Sequence, residues 1–299
     1  MAKYEGLGND FLLLDGDGPH PPVSAELVRA VCHRRLGVGA DGLIVVGRID
    51  RRARGVGGDG ELSMVLYNAD GGRAEMSGNG IRCLALFACH AGMVGGPAFV
   101  VATDAGPRAV RVGPEGAGSP AAPGAGVSAT VTVGMGRARV DPVDEEVAVD
   151  GAGAEGAGID GAGWGYASGR WRGRSVDMGN PHLVLVEERD LEDLDLDLLG
   201  PPLESSRPGG LNVEWVKPGP GPDEMTLRVW ERGVGVTLAC GTGSVAAAAA
   251  ALAMGLVAGP KVAVANPGGT LHVDLSGPDI ALSGPARRVA TVEVDLPCR

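Results

Sequence analysis

One arrangement recurs in this chain and restricts what it can fold into: a small polar residue, then Gly-x-Gly, then a long run of small or apolar residues. In the C-terminal half it reads Ala239-Cys240-Gly241-Thr242-Gly243-Ser244, followed by six alanines, Ala246 to Ala251, and Met254. In the N-terminal half it reads Met76-Ser77-Gly78-Asn79-Gly80-Ile81-Arg82-Cys83-Leu84. An offset of 163 (240 − 77) sets Ser77 on Cys240, Gly78 on Gly241 and Gly80 on Gly243, and carries Gly92-Met93-Val94 onto Gly255-Leu256-Val257. Gly8-Asn9-Asp10-Phe11-Leu12-Leu13-Leu14 matches Gly179-Asn180-Pro181-His182-Leu183-Val184-Leu185 at the similar offset of 171 (179 − 8). Self-similarity at this period implies two halves, each a set of strands around one central helix.

Local chemistry gives the repeated motif a purpose. Alanine is the strongest helix former and too small to crowd a neighbour, so the C-terminal helix is expected to be buried on all sides. Gly241 and Gly243 are expected to let the chain turn tightly and leave amides bare at the helix start, a site for a carboxylate. The positive helix end is also expected to make Cys240 ionise more easily than a free cysteine. A buried structural cysteine is the plain alternative, since free Cys is among the most buried residue types. If the halves oppose each other, Ser77 and Cys240 look at one another across a cleft.

The 299 residues suffice for two lobes, and an apolar fraction of 44% suffices for a core in each. No basic-apolar-small leader and no apolar run of membrane length are present, so a cytoplasmic protein is expected, with no membrane partner. Cys32, Cys83, Cys89, Cys240 and Cys298 are odd in number and form no CxxC pair, which argues for reduced thiols and against a zinc site. A net charge of −11 disfavours nucleic acid. The Gly37-Val38-Gly39-Ala40-Asp41-Gly42 loop lacks a nucleotide fingerprint and reads as a turn.

Strands are predicted over 1–15 around a Gly6–Asn9 turn, and at 43–46, 61–67, 99–103, 108–112, 129–133, from the Asp177–His182 turn to Val186, 212–216 and 225–231. Closing strands are predicted at 261–265, 270–275, 280–282 and 289–294. Helices are predicted at Ser24 to Arg35, from Ser77 to about Ala91, within Leu191 to Leu199, and through the alanine run. The tracts 113–126 and 150–163, rich in Gly, Pro, Ala and Ser, read as a linker and a lengthened hairpin loop without function. The predicted class is α+β. Residues 1–127 form an N-terminal lobe to which the strand 287–299 returns, and residues 128–286 form a C-terminal lobe.

Two opposed helix starts offering amides to one carboxylate, with a base on either side, suit transfer of an amino acid's α-proton from one face to the other. The charge growing in the carbanion needs preorganised donors, and a thiolate is a suitable base. At this point the sequence resembles the diaminopimelate epimerases, over essentially the whole chain apart from the two Gly/Ala tracts. The motifs are Gly6-Leu7-Gly8-Asn9-Asp10-Phe11, Gly39-Ala40-Asp41, Asn68-Ala69-Asp70-Gly71, Gly78-Asn79-Gly80, Gly179-Asn180-Pro181-His182, Glu231-Arg232-Gly233 and Ala239-Cys240-Gly241-Thr242-Gly243. The resemblance implies two similar lobes, each a curled mixed sheet or barrel around a central helix, with the site in the cleft between them. It implies epimerisation of LL- to meso-2,6-diaminopimelate for lysine and peptidoglycan precursor synthesis, with diaminopimelate as small-molecule partner, no cofactor, no metal, and a homodimer.

Carried over by position, the resemblance makes Cys240 one acid/base and Ser77 the other. It seats the reacting carboxylate on the amides of Gly78, Asn79, Gly241 and Thr242, and the distal end on Asn9, Asn68, Asn180, Asn212 and Arg232. His182 and Glu231 fall near the reacting ammonium group. One guanidinium for a carboxylate and several amide oxygens for an ammonium suit a zwitterionic end, although a single Asn in a turn is more often there for the backbone.

Two positions depart from the family pattern. Ser77 stands where the family has its first cysteine, and Val236 where a Glu usually precedes the Thr. A hydroxyl is a poor base at neutral pH without a partner to take its proton, so activity is expected to be impaired. Two readings of Ser77 stand: an introduced replacement that traps an inactive enzyme, or a natural variant with altered chemistry. The retained distal-end residues favour the first or a recent loss. The other functions open to such a chain are a related racemase, epimerase or dehydratase with a Ser/Cys pair, and an amino-acid-binding descendant without catalysis.

Overall fold

The computed structural model describes residues 1–49, 61–116, 127–149 and 168–294. Nearly all of the two Gly/Ala tracts, and the end of the strand expected over 287–299, lie outside the described residues. In chain order the elements are β1 (Ala2–Gly6), β2 (Asn9–Asp15), α1 (Ala25–Cys32), β3 (Gly42–Arg48), β4 (Glu61–Asn68), β5 (Arg73–Ala74), α2 (Gly78–His90), β6 (Ala98–Thr103), β7 (Gly106–Glu115), β8 (Ser128–Gly134) and β9 (Arg139–Val140). They continue with β10 (Glu145–Val149), β11 (Gly169–Asp177), β12 (Pro181–Val186), a 3-10 turn (Leu191–Asp193), α3 (Leu196–Glu204), β13 (Asn212–Pro218), β14 (Glu224–Glu231), β15 (Gly235–Thr237), α4 (Gly241–Ala253), β16 (Lys261–Asn266), β17 (Gly269–Asp274) and β18 (Ala281–Thr291).

These elements form two compact units, residues 1–135 with 281–299, and residues 136–280. The first boundary falls at 135/136 and not at the predicted 127/128, because β8 pairs with β7 and β18 and so completes the first unit. The second falls at 280/281 and not at 286/287, because β18 is one strand where two were predicted. Gly284-Pro285 reads as a break, but Pro285 lies opposite Thr130 of β8, just before the pairing to β1 begins at Arg287, so its missing N–H interrupts little.

The first unit is a closed barrel of eight strands in the order β18, β1, β2, β3, β4, β6, β7, β8 and back to β18. The β2–β3 and β4–β6 pairs are parallel, and α2 packs against β1, β2, β3, β4, β7, β8 and β18. Every residue of α2 from Gly78 to Ala88 is buried. In the second unit the sheet runs β10, β11, β12, β13, β14, β16, β17, with β9 beside the end of β11 and β15 beside β14. Here α4 packs against β9, β11, β12, β13, β14, β16 and β17, and Ala246 to Ala251 are all buried, as the alanine run predicts.

The internal symmetry goes further than the two sequence matches. The order β2-α1-β3-β4-β5-α2-β6-β7 is repeated as β12-α3-β13-β14-β15-α4-β16-β17, and the parallel pairs β2–β3 and β4–β6 recur as β12–β13 and β14–β16. The offset of 163 carries α2 onto α4 at both ends (78 + 163 = 241; 90 + 163 = 253). The turns before β2 and β12 match too, with Gly8 and Gly179 both left-handed at φ 84° and 97°.

Candidate active site

Each central helix begins at an N-cap whose side chain accepts a hydrogen bond from the third residue of the helix: Ser77 Oγ from the Gly80 amide at 3.0 Å, and Cys240 Sγ from the Gly243 amide at 3.3 Å. The amides of Gly78 and Asn79 in one unit, and of Gly241 and Thr242 in the other, fall in the first helical turn, where the i−4 carbonyl lies outside the helix. These four are the residues that the resemblance names as carboxylate donors. The reason for the second glycine differs from expectation. Gly80 and Gly243 are helical residues and make no turn. A β-carbon on Gly243 would stand 2.7 Å from Glu214 Oε1, and one on Gly80 3.0 Å from Ile44 Cδ1, so close packing keeps both small.

In the second unit Glu231, Thr242 and Gly243 bond to the Cys240 side chain, and His182 lies near Glu231. His182 on β12 is 1% exposed and Glu214 on β13 is fully buried, with His182 Nδ1 2.7 Å from Glu214 Oε1. His182 Nε2 is 3.2 Å from Asn180 Oδ1. Glu231, at the end of β14, accepts hydrogen bonds from the Thr237 hydroxyl and the Cys240 side chain. Burial raises its carboxyl, with Glu214 adding to the rise and the Thr237 and Cys240 bonds opposing it.

The expectation of an easily ionised Cys240 is overturned. Burial pushes the thiol well above the ordinary thiol range, and the negative charges of Glu231 and Glu214 push it further. Hydrogen bonds from Thr242 and the Gly243 amide pull the other way and do not win. The sequence displays the helix start, but the two carboxylates come from strands that only the fold brings beside the sulfur.

Asn180 and Asn212, predicted for the distal end, are engaged in this structure. Asn180 meets His182, whereas Asn212 accepts the Arg232 amide at 2.9 Å and donates to the Pro181 carbonyl at 3.4 Å. Arg232 is exposed and donates to the Gly209 carbonyl at 3.0 Å; among the described residues it pairs with no carboxylate. Val236, on β15, is 44% exposed.

In the first unit Asn9 donates to Asp41 Oδ2 at 2.6 Å and accepts from Asn79 at 3.2 Å, while Asn68 is exposed at the end of β4, where its backbone closes the turn that follows. Two features here were not singled out in the sequence. Arg82 is fully buried, and it donates to the Gly78 carbonyl, to Asn79 Oδ1 and to the Pro285 carbonyl at 3.1, 2.9 and 3.3 Å. Burial pulls its guanidinium down to about 10, against the pull of Cys83 and Glu5. Asp10 binds Lys3 and Arg34, and Arg34 also binds Asp41, which fixes the loop carrying Asn9. Burial would raise the Asp10 carboxyl, but the bonds from Arg34 and Lys3 hold it down.

Glu214 is the residue missed in the second unit. A signal existed: it is an acid inside Asn212-Val213-Glu214-Trp215-Val216, a strand segment buried on both faces. A surface groove of about 400 Å³, lined by Arg137, Val140, Ala249, Leu252, Leu275 and Ile280, contains none of the candidate residues.

Solved structures with this fold include a PhzF-family phenazine biosynthesis protein from Bacillus anthracis, with TM-score 0.62 and 14% identity, covering 99% of this chain and 98% of the other. A probable proline racemase from Agrobacterium radiobacter K84 gives TM-score 0.63 and 16% identity, covering 99% and 92%. The class is therefore that of the PhzF and racemase fold, a strand-wrapped helix built twice. Within it, the diaminopimelate epimerase family model matches residues 1–140 and 174–289. Diaminopimelate epimerases from Synechococcus sp. (strain JA-3-3Ab) and Corynebacterium aurimucosum are 39% and 38% identical, covering 95% and 99% of this chain and 94% and 99% of theirs. The chain belongs to the diaminopimelate epimerase family.

Proposed function

We propose that this chain interconverts LL- and meso-2,6-diaminopimelate by proton transfer at one α-carbon, with Cys240 as one acid/base and Ser77 in the position of the other. The observation that carries this reading is the pair of equal central helices, each N-capped by one of these residues through the same hydrogen bond. The helix-start amides receive the reacting carboxylate and stabilise the carbanion's charge. Glu231, bonded to the Cys240 side chain, receives the reacting ammonium group, whose positive charge offsets the carboxylates that hold the thiol in its protonated form, and His182 lies near it. Arg232 takes the distal carboxylate, with Asn9, Asn68, Asn180 and Asn212 completing the pocket.

Ser77 limits the rate. Its Oγ accepts one bond, from the Gly80 amide, and no described side chain takes its proton. No helix among the described residues is long and apolar enough to cross a membrane. The enzyme works in the cytoplasm as a homodimer, without cofactor. The test is to incubate the protein with LL-diaminopimelate and follow meso product by chiral chromatography. Slow formation is expected. Turnover of proline or hydroxyproline in its place, dehydration of an amino acid, or binding of diaminopimelate without any turnover would each contradict the proposal.

A further inference from the structure

Buried beneath the start of α4, the His182 ring is hydrogen-bonded at both nitrogens, and both partners are oxygens: Glu214 Oε1 at 2.7 Å and Asn180 Oδ1 at 3.2 Å. A neutral imidazole has one N–H and one lone pair, so it can donate to only one of two oxygens. Satisfying both requires one proton more than a carboxylate and a neutral imidazole contain. Imidazole is ordinarily the stronger base of the two, so the added proton belongs to the ring. Glu214 needs that positive charge: it is fully buried, its Oε2 has no hydrogen-bond partner among the described residues, and Oε1 abuts the helix-start residue Gly243. A lone buried carboxylate is too costly to persist, whereas one paired with a cation at 2.7 Å can.

We propose that Glu214 is a positioning residue that holds His182 as a doubly protonated imidazolium, so that the buried pair is neutral and presents a fixed N–H from Nε2. This deepens the proposed function, since the same ring lies near Glu231, which bonds to Cys240, but it concerns the resting protein and holds whatever the substrate is. The charged ring stabilises the anions that form beside it, the Glu231 carboxylate and the Cys240 thiolate. Its orientation is set by Glu214 through Nδ1, and Asn180 accepts from the other nitrogen.

The test is 15N NMR of histidine-labelled protein at neutral pH, with His182→Asn identifying the His182 signals among the five histidines. Both ring nitrogens of His182 are expected to be protonated in the parent. Glu214→Gln should leave only one protonated, and Glu214→Asp should restore the double protonation at least in part. With diaminopimelate, Glu214→Gln should lower kcat at least tenfold with little change in KM. A parent spectrum with a single protonated nitrogen overturns the proposal by itself, even if the variants fail to fold. If the parent is doubly protonated but Glu214→Gln remains so, Glu214 does not fix the state. Absence of diaminopimelate turnover would sink the proposed substrate and leave the NMR result to decide this inference separately.

Discussion

Replacing Gly80 and Gly243 by alanine, one at a time, probes the two helix starts with the same chemical change. In a helix interior this substitution gains about 1 kcal/mol from propensity. At Gly80 the new β-carbon would meet Ile44 Cδ1 at 3.0 Å, Ser77 Cβ at 3.2 Å and Met64 Cε at 3.3 Å, two of them ends of flexible side chains. Crowding of about 1 kcal/mol offsets the gain, so Gly80→Ala should be neutral to within about 1 kcal/mol. At Gly243 the nearest atom is Glu214 Oε1 at 2.7 Å, and that oxygen is pinned by His182 at 2.7 Å. Moving it strains a buried charge-assisted bond worth about 2 kcal/mol and adds overpacking of about 1–3 kcal/mol. Gly243→Ala should therefore lose about 2–4 kcal/mol net. All four tryptophans lie between residues 136 and 280, so urea unfolding followed by tryptophan fluorescence reports the second unit, and circular dichroism reports both. Equal stability of the two variants would refute the packing argument for the second glycine of the motif.

Three other outcomes are expected. Arg232→Leu should abolish diaminopimelate binding by calorimetry while leaving the melting temperature within a few degrees; unchanged affinity would remove Arg232 from the distal site. Burial would raise the Glu187 carboxyl, but the Arg189 side chain and amide and Trp171 hold it down to about 2. Its contribution to stability is thus complete above the ordinary carboxylate range and lost as pH falls toward 2, and urea titrations of Glu187→Gln should lack that part of the acid-side decline. On the alkaline side, burial pushes Cys32 to about 11, Cys83 to about 12 and Cys240 upward as well. The unfolded chain ionises first, so stability should fall from about pH 9 by up to ~1.4 kcal/mol per pH unit for each thiol. Cys83→Ala should shallow the slope, and an unchanged slope would contradict the assignment.

The repeat made the twofold build, both central helices and their caps legible, because helix starts and Gly-x-Gly spacing are local signals. The strands β10 and β11 were not read, since Gly169-Arg170-Trp171-Arg172-Gly173-Arg174 carries little apolar patterning; Trp171 inserts into the second unit's core and gives the strand its buried face. The same limit applies to the site. Cys240, Glu231 and His182 are visible as motifs, but the acidity of Cys240 depends on its burial and on Glu231 and Glu214, and Glu214 stands on β13, a strand that only the fold brings near the sulfur. Arg82 is likewise a lone charge in an apolar helix, and only the closed barrel shows that its acceptors are Asn79 and the Pro285 carbonyl of the strand that returns.

The paired acid/base assignment is tested most directly by α-proton exchange in heavy water, measured by NMR on LL- and meso-diaminopimelate with the parent, Ser77→Cys and Cys240→Ser. The parent should exchange the α-proton of one isomer faster than it epimerises it and leave the other nearly untouched, since only one position carries a thiol. Ser77→Cys should raise epimerisation by about 10²–10⁴-fold, the contribution of a positioned general acid/base. Cys240→Ser should remove the remaining exchange. If Ser77→Cys epimerises no faster than the parent, residue 77 is not the second acid/base and the account is wrong.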